Sequence, residues 1–245
     1  MRIIYLCLLT LLFSCQQEKP LTMRIAVAGN MKKPLEELIA QYPYDHSHIT
    51  FTSGSSGKLY QQIAHGAPFD LFISADDRYT KMLADAGMVE GNRLVYAYGH
   101  LAVWSKQHKK IDELKKDVEN GARVVIPNPR LAPYGLLAKT ALLEIDPSLM
   151  SEAILAEGVM QTNHFIASGN LDWALTANSA EALFDKGYGY WHPLPAKWTE
   201  LKLAQEAVVI KRKQADVQLQ QAKQFLDYLN SKPSKDLLAK YGYSF

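Results

Sequence analysis

The residues with the clearest potential for chemistry stand in short polar turns, each between a β-rich run and residues at helical spacing. Ser and Asn are favoured at such junctions because their side-chain oxygen accepts backbone N–H groups at a helix start. One turn alone therefore indicates only capping. Several such turns around one cleft favour a shared anion, because free N–H groups and the helix dipole attract negative charge. Four junctions of this kind occur, two in each half of the chain, near Asn30, Ser56, Tyr134 and Val159.

A second chemistry, acyl transfer by a serine, fits part of the same segment. Ser55-Ser56-Gly57-Lys58 matches the S-x-x-K spacing of penicillin-recognising enzymes, and Ser168-Gly169-Asn170 could supply their S-x-N element. Their third element, K-T-G, is missing, because the nearest match reads Lys139-Thr140-Ala141. A serine acyl enzyme that uses Ser55 and Lys58 is kept as an alternative of a different class.

Metal binding and carboxylate catalysis have weaker support in the sequence. The two histidines of Asp45-His46-Ser47-His48 would share one face of a strand, but no HExxH motif or matching ligand spacing accompanies them. We predict a solvated loop there. Asp70, Asp76 and Asp77 could suggest paired carboxylates, yet Asp76 and Asp77 stand at a predicted helix start, where acidic residues suit the dipole. We predict a structural role for these carboxylates.

The composition bounds the class of protein. The 245 residues include 27 Lys and Arg against 25 Asp and Glu, which gives a formal net charge of +2. This charge supplies no strong field to steer nucleic acid or a membrane surface, and we predict no nucleic-acid partner. Apolar residues make up 48% and charged residues 21%, which argues against disorder. The length allows one large domain or two lobes.

The first residues have the pattern of an export signal. One basic residue, Arg2, precedes an apolar run from Ile3 to Phe13 that is too short to span a bilayer as a helix. Leu12-Phe13-Ser14-Cys15 resembles a bacterial lipobox. We predict a lipoprotein signal peptide over 1–14, lipidation of Cys15, and a polar tether over 15–22. An ordinary signal cut by another peptidase is the alternative.

This pattern predicts an exported protein, in the periplasmic space or at the outer cell face, held at the membrane only through lipid. The two cysteines, Cys7 and Cys15, both lie in this segment. A disulfide scaffold and a Cys-based zinc site are therefore excluded for the folded part.

The polar turns must be positioned by the elements around them, and these repeat as strand, turn and helix. Such repeats predict an α/β fold with parallel strands covered by helices on both faces. The long apolar run Leu94–Trp104 is predicted to cross between two lobes, the first over 22–100 plus 207–245 and the second over 101–206. Ligands of open parallel sheets lie at the carboxyl ends of the strands. Further strands are predicted at Met23–Val27, Ile49–Ser53, Phe69–Ser74, Arg123–Ile126, Leu171–Thr176 and Ala207–Ile210.

The run Gly66–Asp76, GAPFDLFISAD, resembles the hallmark segment of periplasmic molybdate-binding proteins, the substrate-binding subunits of ABC-type molybdate importers. The resemblance extends over about residues 23 to 245. It implies the two-lobed periplasmic-binding-protein fold, each lobe a mostly parallel sheet with helices on both faces. Six further segments occur in the family's order: Ala26–Met31, Ser53–Leu59, Pro133-Tyr134-Gly135, Gly158–Gln161, Ser168–Leu171 and Tyr241-Gly242-Tyr243.

The resemblance also implies the oxyanion-binding residues. In the first lobe these correspond to Asn30, where many members have Ser, and to Ser56. In the second lobe backbone N–H groups come from positions that match Tyr134 and Val159. A tyrosine that donates its hydroxyl in some members aligns with Leu175, so that donor is missing here. We hypothesise that the Tyr134 hydroxyl replaces it.

The ligand chemistry implied by the resemblance is consistent with such a site. Molybdate is a tetrahedral dianion without a proton, so a site made only of donors binds it and disfavours hydrogen phosphate, whose proton would lack an acceptor. Tungstate is nearly the same size and should bind about as well, whereas sulfate must be discriminated by size. The resemblance implies no enzyme and no cofactor, and a monomer that delivers molybdate or tungstate to an ABC permease with its ATPase. The alternative within this fold is sulfate or another oxyanion.

Overall fold

The computed structural model describes residues 22–107, 110–192, 194–213 and 215–245. The predicted signal peptide, Cys15 and the tether up to residue 21 lie outside these residues, so the predictions on them stay predictions. Among the described residues, no helix combines the length and the apolar character needed to cross a membrane.

The predicted alternation of strand, turn and helix is present along the chain. The strands of the described residues are β1 Met23–Ala28, β2 Ile49–Gly54, β3 Leu71–Ser74, β4 Val89–Ser105, β5 Val124–Pro127, β6 Ile154–Ala156, β7 Trp173–Ala177, β8 Tyr190–His192 and β9 Lys202–Ile210. The helices are α1 Lys32–Ala40, α2 Ser56–Ala64, α3 Arg78–Asp85, α4 Leu114–Glu119, α5 Pro133–Ile145, α6 Leu149–Glu152, α7 Val159–Ser168, α8 Ala196–Thr199, α9 Asp216–Leu229 and α10 Lys232–Lys240.

The prediction for the last strand was wrong at its start. It placed the first residue at Ala207, but β9 begins at Lys202. The missed part contains Gln205 and Glu206, whose polar side chains broke the apolar run, although both are buried. Burial of these groups is possible because each is hydrogen-bonded: Gln205 to Ala75 O, and Glu206 to Arg93.

The long strand β4 joins two half-sheets, as the sequence predicted. Its first part, Val89–His100, pairs with β9, and its second part, Leu101–Ser105, pairs with β7. The first half-sheet has the order β2-β1-β3-β9-β4, in which β2, β1 and β3 are parallel. The second half-sheet has the order β4-β7-β5-β6, in which β7, β5 and β6 are parallel. Among the described strands, every antiparallel pair involves β4 or β9: β9 pairs with β3 and β4, and β4 also pairs with β7 and β8.

Helices cover both faces of each half-sheet, which confirms the predicted layers. In β1, Ile25 and Val27 pack with α1, α9 and α10, whereas Ala26 between them packs with α2 and α3. In β5, Val124 and Ile126 pack with α4, α5 and α6, whereas Val125 packs with α7. Alternate residues of a strand point to opposite faces, so each central strand is buried on both sides.

The hallmark segment supplies the central strand β3 and a buried ion pair. Asp70, just before β3, has no exposed surface. Its carboxylate accepts hydrogen bonds from Arg212 Nε at 3.1 Å and from the Arg24 backbone N–H at 2.8 Å. Asp70 therefore links the chain just before β3 to β1, through Arg24, and to the residue Arg212 that follows β9. Asp76 stands beyond the opposite end of β3, so the two carboxylates do not form a catalytic pair.

Candidate functional site

A cavity of about 350 Å³ lies between the two half-sheets, within the range of about 300–1,000 Å³ found for small-ligand sites. It is bordered by the turns that follow β1, β2 and β3 and by the starts of α5 and α7. The carboxyl ends of parallel strands thus meet at the cavity, as expected for open α/β sheets. All four predicted site residues, Asn30, Ser56, Tyr134 and Val159, are among its lining residues.

Within the described ranges, the lining of the cavity offers N–H and O–H donors, and the imidazole of His164 is its one side chain that can carry positive charge. Among the described residues that line it, none is Lys or Arg, and the only carboxylate belongs to Glu157. That carboxylate pairs with Lys58 Nζ at 2.5 Å. An anion in this cavity would therefore depend on N–H and O–H groups, which act strongly where water is excluded.

Two helix starts contribute backbone N–H groups to the cavity. Tyr134 is the second residue of α5 and Val159 is the first residue of α7. Neither N–H donates to another residue within the described ranges. The first N–H groups of a helix lack intrahelical acceptors and carry the positive end of the dipole. These two N–H groups are therefore without a protein acceptor among the described residues, and their role in binding an oxyanion stays a prediction.

Ser56 supplies a hydroxyl from the first half-sheet. It is the first residue of α2 and is buried, and its Oγ accepts a hydrogen bond from the Ala75 backbone N–H at 3.1 Å. A hydroxyl has one proton to donate and two lone pairs to accept with. Because the Ala75 N–H occupies a lone pair, the Ser56 proton stays available for a ligand.

The Asn30 side chain is engaged away from the cavity. Its Nδ2 donates to Gln205 Oε1 and to the Tyr243 hydroxyl, both at 2.8 Å. The amide orientation of Gln205 is set by its Nε2, which donates to Ala75 O at 2.8 Å, and this orientation requires Asn30 to donate. Asn30 can therefore serve a ligand through its backbone N–H, whereas its amide donors are occupied.

The Tyr134 hydroxyl, hypothesised to replace a missing ligand donor, is buried beside Gln205 Nε2, and its role toward a ligand stays a hypothesis. Burial raises the pKa of this phenol well above its usual value, so it stays protonated. The hydroxyl lies against Gly99 in β4, where any Cβ would collide with it. Leu175, the position aligned with the missing donor, is completely buried in the core of the second half-sheet and is not among the cavity-lining residues.

A polar network behind the cavity was not predicted from the sequence. Gln205 and Tyr243 meet at Asn30, and Ser179 Oγ donates to Asn30 O at 3.0 Å. The sequence marks Tyr241-Gly242-Tyr243 only as a segment shared with the family, and it does not mark Gln205, which is a single polar residue in a strand. Their partners lie far away in the chain, so local pattern carries no information about them.

The two halves touch around the mouth of the cavity, so the structure represents a closed cleft. The Gly57 backbone N–H donates to Leu131 O at 3.0 Å, and Ser53 Oγ donates to Met160 Sδ at 3.0 Å. Lys58 reaches across to Glu157 rather than to Ser55. The Ser55 hydroxyl has no hydrogen-bond partner within the described ranges, so Ser55 and Lys58 do not form a nucleophile and base here.

The histidine pair at Asp45–His48 lies in a loop, as predicted, and His46 is exposed. The described part of the chain contains no group of three or more His, Cys, Asp or Glu side chains that could hold a metal ion.

Two lobes closed over a cavity with neutral donors at helix starts define a binding protein for a small solute. The family model of bacterial extracellular solute-binding proteins matches residues 23–244, and the chain belongs to this family. Its relatives include the molybdate-binding proteins ModA of Azotobacter vinelandii, 31% identical over 90% of this chain and 89% of that protein, and of Rhodobacter capsulatus, 32% identical over 89% and 86%.

Solved structures support the same relationship. The periplasmic molybdate-binding protein of Azotobacter vinelandii superimposes with a TM-score of 0.79 and 29% sequence identity. The alignment covers 91% of this chain and 99% of that protein. The predicted two-lobed binding-protein fold is thereby confirmed over nearly all of the described residues.

Proposed function

We propose that this protein binds molybdate, and tungstate about equally, in the cleft between its lobes and delivers it to an ABC-type permease with its ATPase. The observation that carries the proposal is a closed cavity in which the one carboxylate among the described lining residues is paired and several groups are free to donate, among them the N–H groups of Tyr134 and Val159 and the Ser56 hydroxyl. The relatives named as molybdate-binding proteins support the choice of ligand.

The remaining features of the protein are part of the same proposal. It is exported, tethered through lipid on Cys15, and monomeric. Its lobes comprise 22–100 plus 207–245 and 101–206, and the strands β4 and β9 run through the boundary as the hinge. It acts by binding rather than catalysis, which the missing contact between Ser55 and Lys58 supports.

A thermal-shift series on the soluble form that begins at Gln16 tests the ligand, with molybdate, tungstate, sulfate and phosphate as four arms. A ligand that binds only the folded state at about a hundredfold over its Kd adds about 2.7 kcal/mol to the free energy of unfolding. We expect the melting temperature to rise with molybdate and tungstate alone. A rise with sulfate alone would show that the cleft binds sulfate instead of molybdate. No rise with any of the four anions would overturn oxyanion binding.

A further inference from the structure

Ser55 carries a buried hydroxyl without a partner, at the edge of the cleft. Its side chain is more than nine-tenths buried, with a relative exposure of 9%. Three other described residues, Arg78, Tyr96 and Gln221, also have a buried side-chain polar atom without a hydrogen bond. Ser55 is the only one of the four that lines the cavity. Buried polar groups are nearly always satisfied, so this exception needs an explanation.

Ser55 does not cap the helix that it precedes, although capping is the usual structural role of a serine at such a position. Ser55 is the N-cap residue of α2, with the extended backbone that caps adopt, yet its side chain accepts no N–H of the helix. Ser231, the N-cap of α10, shows the contrast, because its Oγ accepts the Ser234 backbone N–H. The hydroxyl of Ser55 is therefore free of the local bond that normally retains a serine at a helix start.

The position of Ser55 ties its burial to closure of the cleft. Its Cβ faces Gly158 of the other lobe, so closely that a Cβ on Gly158 would lie 3.3 Å from it. Gly158 directly precedes Val159, the first residue of α7. Ser55 thus lies between the starts of α2 and α7, which both border the cavity, and separating the lobes would expose this residue to water.

We propose that the Ser55 hydroxyl donates a hydrogen bond to the bound oxyanion, as a further ligand residue beside Ser56. This inference rests on the proposed oxyanion binding. When the empty cleft closes, the Ser55 hydroxyl loses its hydrogen bonds to water and gains no protein partner, which costs free energy. Closing on an oxyanion supplies the missing acceptor. Ser55 therefore makes closure depend on the ligand, in addition to strengthening binding.

The test compares Ser55→Ala with Ser231→Ala, by calorimetric titration with sodium molybdate and by the melting temperature of the ligand-free protein. For Ser55→Ala we expect at least a tenfold weaker affinity and an unchanged or raised melting temperature, because the ligand-free protein loses no hydrogen bond. For Ser231→Ala, which loses a real cap, we expect the opposite: an unchanged affinity and a lowered melting temperature.

The outcomes separate this inference from the proposed function. If the wild-type protein binds none of the four oxyanions, the proposed function fails and this inference with it. If the wild type binds molybdate and Ser55→Ala binds it within twofold, only the role of Ser55 is overturned. A weaker affinity together with a lowered melting temperature would assign Ser55 a structural role. Ser55→Cys, with a weak donor of similar shape, should bind with intermediate affinity.

Discussion

At the scale of single residues, two neighbouring serines behave differently. Ser56 has a hydroxyl that accepts the Ala75 N–H, whereas the Ser55 hydroxyl has no hydrogen-bond partner within the described ranges. Both are buried at the start of α2. Their different environments predict different effects of the same substitution, because only Ser56 also contributes to the ligand-free fold.

For Ser56→Ala we expect more than a tenfold loss of molybdate affinity and a measurable loss of stability in a protein that still folds. The loss of affinity follows from the removed donor. The loss of stability follows because the Ala75 N–H is left unpaired, which costs about 1–3 kcal/mol for a buried donor. Titration calorimetry and urea unfolding measure the two quantities. An unchanged affinity would remove Ser56 from the site.

Asp76 predicts an unusual dependence of stability on pH. Burial, only partly offset by Arg78, raises the pKa of this carboxyl from 3.8 to about 6. The folded state holds the Asp76 proton more tightly than the unfolded state does, so protonation of Asp76 stabilises the fold. This stabilisation is fully present below the pKa that Asp76 has in the unfolded chain. It is lost as the pH rises through the folded pKa.

Asp76→Asn should remove this dependence. We expect the free energy of unfolding of Asp76→Asn, minus that of the wild type, to be larger at about pH 7.5 than at about pH 4.5. Subtracting the wild type at each pH removes the titration of all other groups, so the change in the difference reports Asp76 itself, including its contact with Arg78, which is an ion pair only when the carboxyl is ionised. Urea unfolding at the two pH values measures it, and equal differences would contradict the raised pKa.

At the scale of elements, the start of α5 is positioned by strand β4. Tyr134 directs its hydroxyl toward Gly99 and Gln205, and so fixes the end of α5 that presents its N–H to the cavity. Gly99 is required because any side chain there would occupy the place of the hydroxyl. A glycine inside a strand usually marks such a close approach of another group.

Gly99→Ala should therefore displace Tyr134 and weaken molybdate binding, by about tenfold if the N–H of Tyr134 is lost as a donor, which is worth about 1.4 kcal/mol. The same substitution in a Tyr134→Phe background removes one of the two colliding groups, because Gln205 Nε2 would still lie 2.6 Å from the added Cβ. We expect it to cost less affinity there, as a double-mutant cycle would show. Equal costs in both backgrounds would mean that Gly99 does not act through Tyr134.

At the scale of the whole molecule, the two lobes are held closed by few direct contacts. Lys58 and Glu157 form an ion pair across the mouth, with half-exposed side chains, and exposed pairs contribute at most about 1 kcal/mol. Most of the free energy of closure must then come from the ligand and from the apolar contact of the lobes. We expect the ion pair of Lys58 and Glu157 to change the fraction of molecules with closed lobes only modestly.

Lys58→Gln should weaken molybdate affinity by up to about fivefold, because it opens the pair and leaves Glu157 uncompensated beside a dianion. The double variant Lys58→Gln, Glu157→Gln should recover most of this loss. Lys81→Gln, which breaks a similar exposed pair within α3, serves as the control and should leave affinity unchanged. Titrations at low and high salt complete the test, since the effect of an exposed pair is screened. An equal loss in the control would show a nonspecific charge effect.

Much of this protein follows from its sequence alone. Strand and helix positions, the crossing strand β4 and the four turns around the cleft all come from local patterns, because burial repeats with the period of each element. The positions of Asn30, Ser56, Tyr134 and Val159 at one cavity follow from the same patterns, since parallel strands end at one edge of a sheet.

Only the tertiary structure decided which polar groups are free. Gln205 lies 175 positions from Asn30, and Tyr243 lies 213 positions from it, yet both occupy its amide donors. The Tyr134 phenol is buried beside Gly99 and Gln205, an environment that residue type and spacing did not predict. Ser55 and Ser56 cannot be distinguished by residue type or spacing. Hydrogen-bond partners depend on how distant segments dock, so a local pattern predicts where a group lies but not whether its bonding capacity is already used.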